Sequence, residues 1–406
     1  MSDVPHLRFP EFTEEWNETT IGKIANILCG YAFNGTSIVE EVTNSKLLRG
    51  VNITEGTIRH SSDIDRYFMG DINSKLDKYL LIEGDLVIGM DGSKVGKNSA
   101  IITADEAGSY LVQRVCRIRT DIVKTQLIYQ QVNNPCFHRY VDNVKTSSAI
   151  PHISQSDITN YSISIPKNRN EQNKIARFLS IIDERIATQN KIIEDLKKLK
   201  SAINDTLQER YCHSQRLSFA EIGNSYSGLS GKSSADFGEG YPYIPYTNIF
   251  SNDIVNEADM AFVKIKPGES QNRVQYGDIL FTLSSETPEE VGMGAVYLGN
   301  DKDVFLNSFS FGIHIERIDV IYPPYLAYYI VSRKFRKFIC PFAQGSTRFN
   351  LQKQDFENAE MDFPDIDAQR KIYTTLSAIT AKIKQEEKIL ERWRTQKQWL
   401  LARLFI

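Results

Sequence analysis

The sequence predicts an α+β protein written twice: two α+β domains, each followed by a long helix, with the helices paired as an antiparallel coiled coil about an internal pseudo-two-fold axis. Three observations carry this prediction. Residues 125–166 resemble residues 323–364 at an offset of 198, and the following segments stay aligned at 197. Residues 170–210 contain no Gly or Pro and repeat apolar side chains at alternating three- and four-residue spacing. The front of each copy shows short apolar runs between polar turns, the pattern of strands and loops.

The repeat is closest in the back of each copy. Phe137 matches Phe335, Tyr140 matches Phe338 and Val141 matches Ile339. Ser147-Ser148-Ala149-Ile150-Pro151-His152-Ile153 lies over Gly345-Ser346-Thr347-Arg348-Phe349-Asn350-Leu351, and Pro166 over Pro364. Gln172 then matches Gln369, and Lys174-Ile175 matches Lys371-Ile372. The fronts agree only in outline, as in Gly84-Asp85-Leu86 against Gly277-Asp278-Ile279. The expected boundaries are 1–168 (N-terminal segment and first domain), 169–212 (first helix), 213–366 (second domain) and 367–406 (second helix).

Within the first front, 86–88 and 100–102 read as strands around a loop, 111–118 as a further strand, and 125–141 as a helix bent near Pro135. The second runs similarly: strands at 279–283 and 295–298 around a loop, and a helix over 325–339. The first long helix has its seam at Ile175, Leu179, Ile182, Ile186, Ile193, Leu196, Ile203 and Leu207, broken by Gln189 and Lys200. The second has Ile372, Leu376, Ile379, Ile383, Leu390, Trp393, Leu400 and Leu404, broken at the matching Glu386 and Lys397. Polar seam positions fix register at a cost in stability. About 40 residues make a rod of roughly 60 Å. An antiparallel pair would set the domains at opposite ends, and two-fold DNA readers address half-sites about 34 Å apart.

Composition is ordinary for a globular chain: 406 residues, 41% hydrophobic, 24% charged, net charge −3. That balance argues against gripping nucleic acid by bulk charge alone. Local basic stretches exist, however. Residues 321–354 hold six cations and no acid, and 107–141 hold five against Asp121. These fit a DNA reader that shares the phosphate load with partners; solvated faces are the plainer reading. No apolar run approaches the roughly 20 residues needed to cross a bilayer. The start, Met1-Ser2-Asp3-Val4-Pro5-His6, lacks the features of an export signal. Cys29, Cys116, Cys136, Cys212 and Cys340 are scattered and odd in number, which argues against a disulfide framework or a zinc site and fits a cytoplasmic home.

Three polar loops per domain are candidates for touching a ligand. In the first domain they offer Tyr31 and Asn34; Ser93, Lys94 and Lys97; and Lys145, Ser147, Ser148 and His152. In the second they offer Lys232 and Ser233; Ser284 and Ser285; and Ser346, Thr347, Arg348 and Asn350. Such side chains bond phosphates or base edges. Ordinary turn chemistry is the competing account of each; Arg348 and Lys94, long cations in small-residue loops, are the preferred exceptions.

Catalytic patterns fail on spacing or context. Gly92 to Asn98 has three residues between its glycines where a phosphate loop needs four. Asn134-Pro135-Cys136-Phe137 imitates a methyltransferase signature, but its repeat partner at 332–335 lacks the motif. Pro364-Asp365 with Glu386 and Lys388 imitates a nuclease pattern, but Glu386 lies on the seam. The histidines form no metal-binding group.

These segments together resemble the specificity subunit of type I restriction–modification enzymes. The resemblance is carried by Pro5-His6-Leu7-Arg8-Phe9-Pro10-Glu11-Phe12 with Trp16, by the small-residue turn before each proline, and by Glu171-Gln172-Asn173-Lys174-Ile175-Ala176 with Leu179 and Ile182-Asp183, echoed toward Ile379. It implies a non-catalytic subunit whose two fronts are target recognition domains, each reading half of a bipartite site on double-stranded DNA. It implies helices that dock two methyltransferase subunits and, through them, restriction subunits, with no membrane partner. No cofactor is then bound by this chain: S-adenosylmethionine belongs to the methyltransferase, ATP and magnesium to the restriction subunit. Asp367-Ala368-Gln369 departs from the family's Glu-Gln, and Ile150-Pro151-His152 from its Arg-x-Asn. A coiled-coil scaffold binding only proteins is the alternative reading.

Overall fold

The computed structural model describes residues 5–211 and 214–405. Met1 to Val4, Cys212 and the boundary expected at 212–213 lie outside the described residues. The chain divides into two compact units, Met1–Lys191 with Lys388–Ile406, and Ile192–Glu387. Each unit therefore holds one α+β domain and half of each long helix.

In the first unit, strand Trp16–Thr20 pairs antiparallel with Ser162–Pro166 and closes the base of the domain. Above it lies an antiparallel sheet in the order Asn26–Cys29, Val115–Arg119, Leu86–Gly89, Ser99–Ile101. A second sheet runs Ile38–Val39, Arg66–Phe68, Lys46–Leu48, Tyr110–Leu111, its last pair parallel. The single strand expected over 111–118 is thus two strands in two sheets. The chain turns between them at Arg114, whose φ of 69° lies in the left-handed region. The helix expected over 125–141 is also two, Thr125–Val132 and Pro135–Val144. Asn134 caps the second, its side chain accepting from the Cys136 N–H at 2.9 Å, with Pro135 in the first turn. The methyltransferase-like run is a helix cap.

The second unit repeats this plan. Gln215–Leu217 pairs with Met361–Phe363, and the main sheet runs Gly223–Ser227, Ser310–Ile315, Ile279–Thr282, Gly294–Val296. The smaller sheet runs Ala261–Val263, Phe237–Ile244, Phe305–Leu306, again ending in a parallel pair. The helix expected over 325–339 is Pro323–Tyr329 and Arg333–Ile339, with Ser332 capping where Asn134 does. The Gly-Asp match has a physical basis too. Gly84 and Gly277 take φ near 90°, and the buried Asp85 and Asp278 each meet a nitrogen-bearing side chain on the neighbouring strand. Asp85 pairs with Arg119 at 2.6 Å and Asp278 with His314 at 2.8 Å.

The long helices are Arg169–Tyr211 and Ile366–Leu404. In the first unit, Ile175, Leu179 and Ile182 share a core with Leu400, Leu401, Leu404 and Phe405, and with Trp16 and Phe137 of the domain. Trp16 reaches Glu171 at the start of one helix and the Phe405 ring just past the end of the other, so the two halves run antiparallel. In the second unit, Ile372 and Leu376 share a core with Ile203 and Leu207, while Lys197 pairs with Glu387 at 2.7 Å; these halves are antiparallel as well. A fully buried Leu or Ile contributes about 1.5–3 kcal/mol here.

Ile193, Ile383 and Leu390 are also buried, whereas Ile186, Leu196, Ile203, Leu207, Ile379 and Trp393 are half-buried. The polar interruptions do not face water: Gln189, Glu386 and Lys397 are under one-tenth exposed. Lys397 pairs with Asp183 at 2.6 Å and lies 5.4 Å from the Tyr129 ring. Its repeat equivalent Lys200, half-buried, pairs with Asp253 at 2.5 Å and lies 5.2 Å from the Tyr328 ring. Each seam lysine joins a helix to an acid and an aromatic face of its own unit.

The opening segment is anchored by charge. Arg8 grips Glu171 through Nε (2.7 Å) and Nη2 (2.8 Å), and Glu171 is fully buried. In the second copy Ala368 replaces this carboxylate, yet the neighbouring glutamine keeps its task. Gln172 donates to the Pro166 carbonyl at 2.7 Å and Gln369 to the Pro364 carbonyl at 2.9 Å.

Candidate nucleic-acid interface

In each domain the three loops singled out from sequence converge through one set of backbone hydrogen bonds. In the first, Gly30 donates to the Val115 carbonyl (2.9 Å), Met90 to that of Arg114 (2.9 Å), and Ile153 to that of Met90 (3.0 Å). In the second, Gly228 donates to Ser310 (3.3 Å), Leu283 to Phe309 (3.0 Å), and Leu351 to Leu283 (2.8 Å). Loops two and three are also zipped together: Asp91 bridges His152, as Ser284 pairs with Asn350. A Cβ on Gly30 would overlap the Val112 carbonyl, and one on Gly228 the Asn307 carbonyl. Both glycines therefore serve close backbone approach.

The first domain presents mostly open side chains at this junction. Tyr31 is 40% exposed, its ring against Phe33 and Tyr79. Asn34 is exposed but accepts from the Thr36 N–H, capping a short turn. Ser93 is exposed, and Lys94 reaches Glu55 at 2.7 Å. Lys97 and Lys145 share Asp142, at 3.6 and 2.7 Å. Ser147 is exposed; Ser148 donates to the Ile150 carbonyl at 2.6 Å; His152 Nδ1 lies 3.0 Å from the Thr146 hydroxyl. Exposed ion pairs of this kind are weak, so a phosphate can displace the carboxylate from these lysines.

The second domain differs. Ser284 and Ser285, expected in an exposed loop, are buried in a strand, because 343–345 and 349–351 form a hairpin that pairs with them. The hairpin tip exposes Ser346, Thr347 and Arg348, with Asn350 exposed on the strand beyond. Beside it opens a cleft of about 700 Å³ lined by Tyr246, Phe250, Ser284, Ser285, Glu286, Glu290, Thr347 and Arg348. Arg348 Nε donates to Ser284 Oγ at 3.2 Å. Tyr246 stacks on Phe250 at 5.9 Å and donates to the Ser284 carbonyl at 2.9 Å; burial raises its phenol, which stays a donor. Ser233 binds Asp236 in a capping box. Lys232 is committed elsewhere, its side chain 5% exposed and its ammonium held by Glu269 (2.5 Å) and the Lys264 carbonyl (2.6 Å).

Tyr246 and Phe250, which line this cleft, are not among the loop residues singled out from sequence, nor are Arg114 and Phe309, whose carbonyls accept from Met90 and Leu283. The four-residue spacing of Tyr246 and Phe250 was an available signal for one helix face. The basic stretches are also less open than their charge suggests. Arg117 is buried, Arg119 serves Asp85, and Arg336 donates to the carbonyls of Glu289, Val291 and Gly292. These cations build the domains. Among the described residues no cluster of His, Cys, Asp or Glu could hold a metal, and no helix is long and apolar enough to cross a membrane.

Two topologically matched α+β domains, offering different side chains from the same loop junction and joined by paired helices, define a duplicated loop-presenting scaffold. The chain belongs to the family described as type I restriction modification DNA specificity domain, which matches it twice, over residues 13–198 and 219–392. It is 28% identical over 208 residues to the Type I restriction enzyme EcoAI specificity subunit of Escherichia coli, covering 49% of this chain and 33% of that protein. The chain thus spans a third of the length of that curated relative. Among solved structures, the S subunit of a type I restriction–modification system from M. genitalium superposes with a TM-score of 0.54 at 18% identity, over 99% of both chains. A chain from a study of complex assembly and conformational transition of the type I R-M system gives 0.55 at 14% identity, over 98% of this chain and 99% of that one. Both likenesses concern the fold.

Proposed function

We propose that this chain is the sequence-specific DNA-binding subunit of a type I restriction–modification complex. The observation that carries the reading is the loop junction: both domains gather three loops with the same backbone hydrogen bonds, yet fill them with different side chains. A shared frame with unlike side chains suits two readers of two unlike half-sites. The exposed lysines, Arg348 and the serines and threonines of the hairpin tips would bond phosphates and base edges, and Tyr246 and Phe250 would face the duplex from the cleft. The helices would dock two methyltransferase subunits and, through them, restriction subunits. Catalysis would belong to those partners, with S-adenosylmethionine in the methyltransferase and ATP and magnesium in the restriction subunit.

The test is a domain exchange. The strands Trp16–Thr20 and Ser162–Pro166 close the first domain, so residues 21–161 can be replaced by the corresponding segment of a relative. Mapping methyladenine in cells expressing the chimaera should show one half of the target changed and the other retained. Change in both halves, or in neither, contradicts the reading; methylation without sequence preference would leave a scaffold.

A further inference from the structure

We propose that the backbone position held by Arg114 in the first domain and Phe309 in the second determines specificity in each half-site, Arg114 taking a guanine edge and Phe309 a thymine methyl in the major groove. The inference rests on the DNA-reading role proposed above and assigns it to one position. The equivalence is set by hydrogen bonding: the carbonyls of Arg114 and Phe309 accept from Met90 and Leu283, the residues that open loop two in each domain. The preceding residue, Gln113, donates to the Tyr31 carbonyl of loop one at 2.8 Å, and loop three is zipped to Asp91. Arg114 therefore stands where all three loops meet.

Its conformation is costly. Among the described residues Arg114 is the one non-glycine with positive φ, at 69°. Glycine would hold this turn with less strain, so the backbone alone gives no reason for a long side chain here. That side chain is 57% exposed, and its ion pair with Asp91 is long, at 3.8 Å. Five donors in a planar fork match the two acceptors of guanine. In the second domain the position is 62% exposed and apolar. The Phe309 N–H is held by the buried Asn307 side chain at 2.9 Å, which fixes the ring's backbone without covering the ring. A rigidly mounted, uncovered phenyl suits the one apolar group that bases present in the major groove.

The test selects sequences from randomised duplex DNA with the full chain in its methyltransferase complex, unsubstituted and as Arg114→Gly, Arg114→Lys and Phe309→Ala. Arg114→Gly relieves the left-handed strain, so its Tm should match or exceed that of the unsubstituted chain. It should abolish a preference of roughly 5- to 150-fold at one base pair of one half-site. Arg114→Lys keeps the charge and should keep affinity while losing most of that preference. Phe309→Ala should relax a single pair in the other half. Unchanged preferences, or a uniform loss of affinity across all sequences, would overturn the assignment and leave the DNA-reading role standing. An unsubstituted complex that selects no sequence would overturn both.

Discussion

Lys397 is a charged residue in a helix seam, 9% exposed, and its partner Asp183 also accepts from Gln130 Nε2 at 2.6 Å. Removing one member of a poorly hydrated pair leaves the other uncompensated, whereas replacing both with neutral groups does not. Lys397→Ala is expected to lower stability by about 1–3 kcal/mol, because Asp183 keeps partial contact with water. Lys397→Met combined with Asp183→Asn is expected to lose less than the single change. Chemical denaturation of both variants decides this, and equal losses would mean that the lysine contributes packing alone. The interruption at Lys397 was legible in the sequence because it repeats at Lys200. Its partners were not, since Tyr129 and Asp183 lie far from it along the chain and the counterpart acid, Asp253, comes from a loop instead of a helix.

The long helices were the most legible elements, since their signal is a one-dimensional period. That period does not say how deep each position lies. Leu376 is fully buried in the core of the second unit, while Ile186 is half-buried at the edge of the core of the first. Leu376→Ala should therefore cost about 2–5 kcal/mol, and Ile186→Ala less than half as much, measured as a difference in thermal stability. The domain sheets were harder to read because their pairing is non-local: Val115–Arg119 lies between strands that begin at Asn26 and Leu86. The break at Arg114 has no sequence signature, because arginine rarely adopts positive φ. Glycine and serine content marked the loops well. It overstated the exposure of Ser284 and Ser285, which a distant hairpin covers, and it gave no sign that Lys232 or Arg336 would be spent inside the fold.

At the scale of the whole molecule, each unit needs one domain and two helix halves, so a fragment spanning residues 5–211 lacks one of the two helix halves that its unit requires. It leaves Ile175, Leu179 and Ile182 without Leu400, Leu401 and Leu404. A second copy can supply substitutes, since Ile203 and Leu207 stand in the repeat where Leu400 and Leu404 do. The positions of Leu401 and Phe405, however, are filled by Asn204 and Gln208. In the second unit those amides are buried with partners: Asn204 donates to the Tyr328 carbonyl at 2.8 Å, and Gln208 accepts from the Tyr325 hydroxyl at 2.6 Å. In a fragment dimer they would face the surroundings of Trp16, whose ring in the intact chain meets Phe405 at 6.2 Å. A buried amide left without a partner costs about 1–3 kcal/mol. The fragment should therefore form a weak dimer. Asn204→Leu with Gln208→Phe should tighten it at least tenfold, about 1.4 kcal/mol per dimer, as read by sedimentation equilibrium. Tightening would mean that these two amides make each domain prefer its own helix ends over those of the other copy. An unchanged dissociation constant would place that preference elsewhere in the seam.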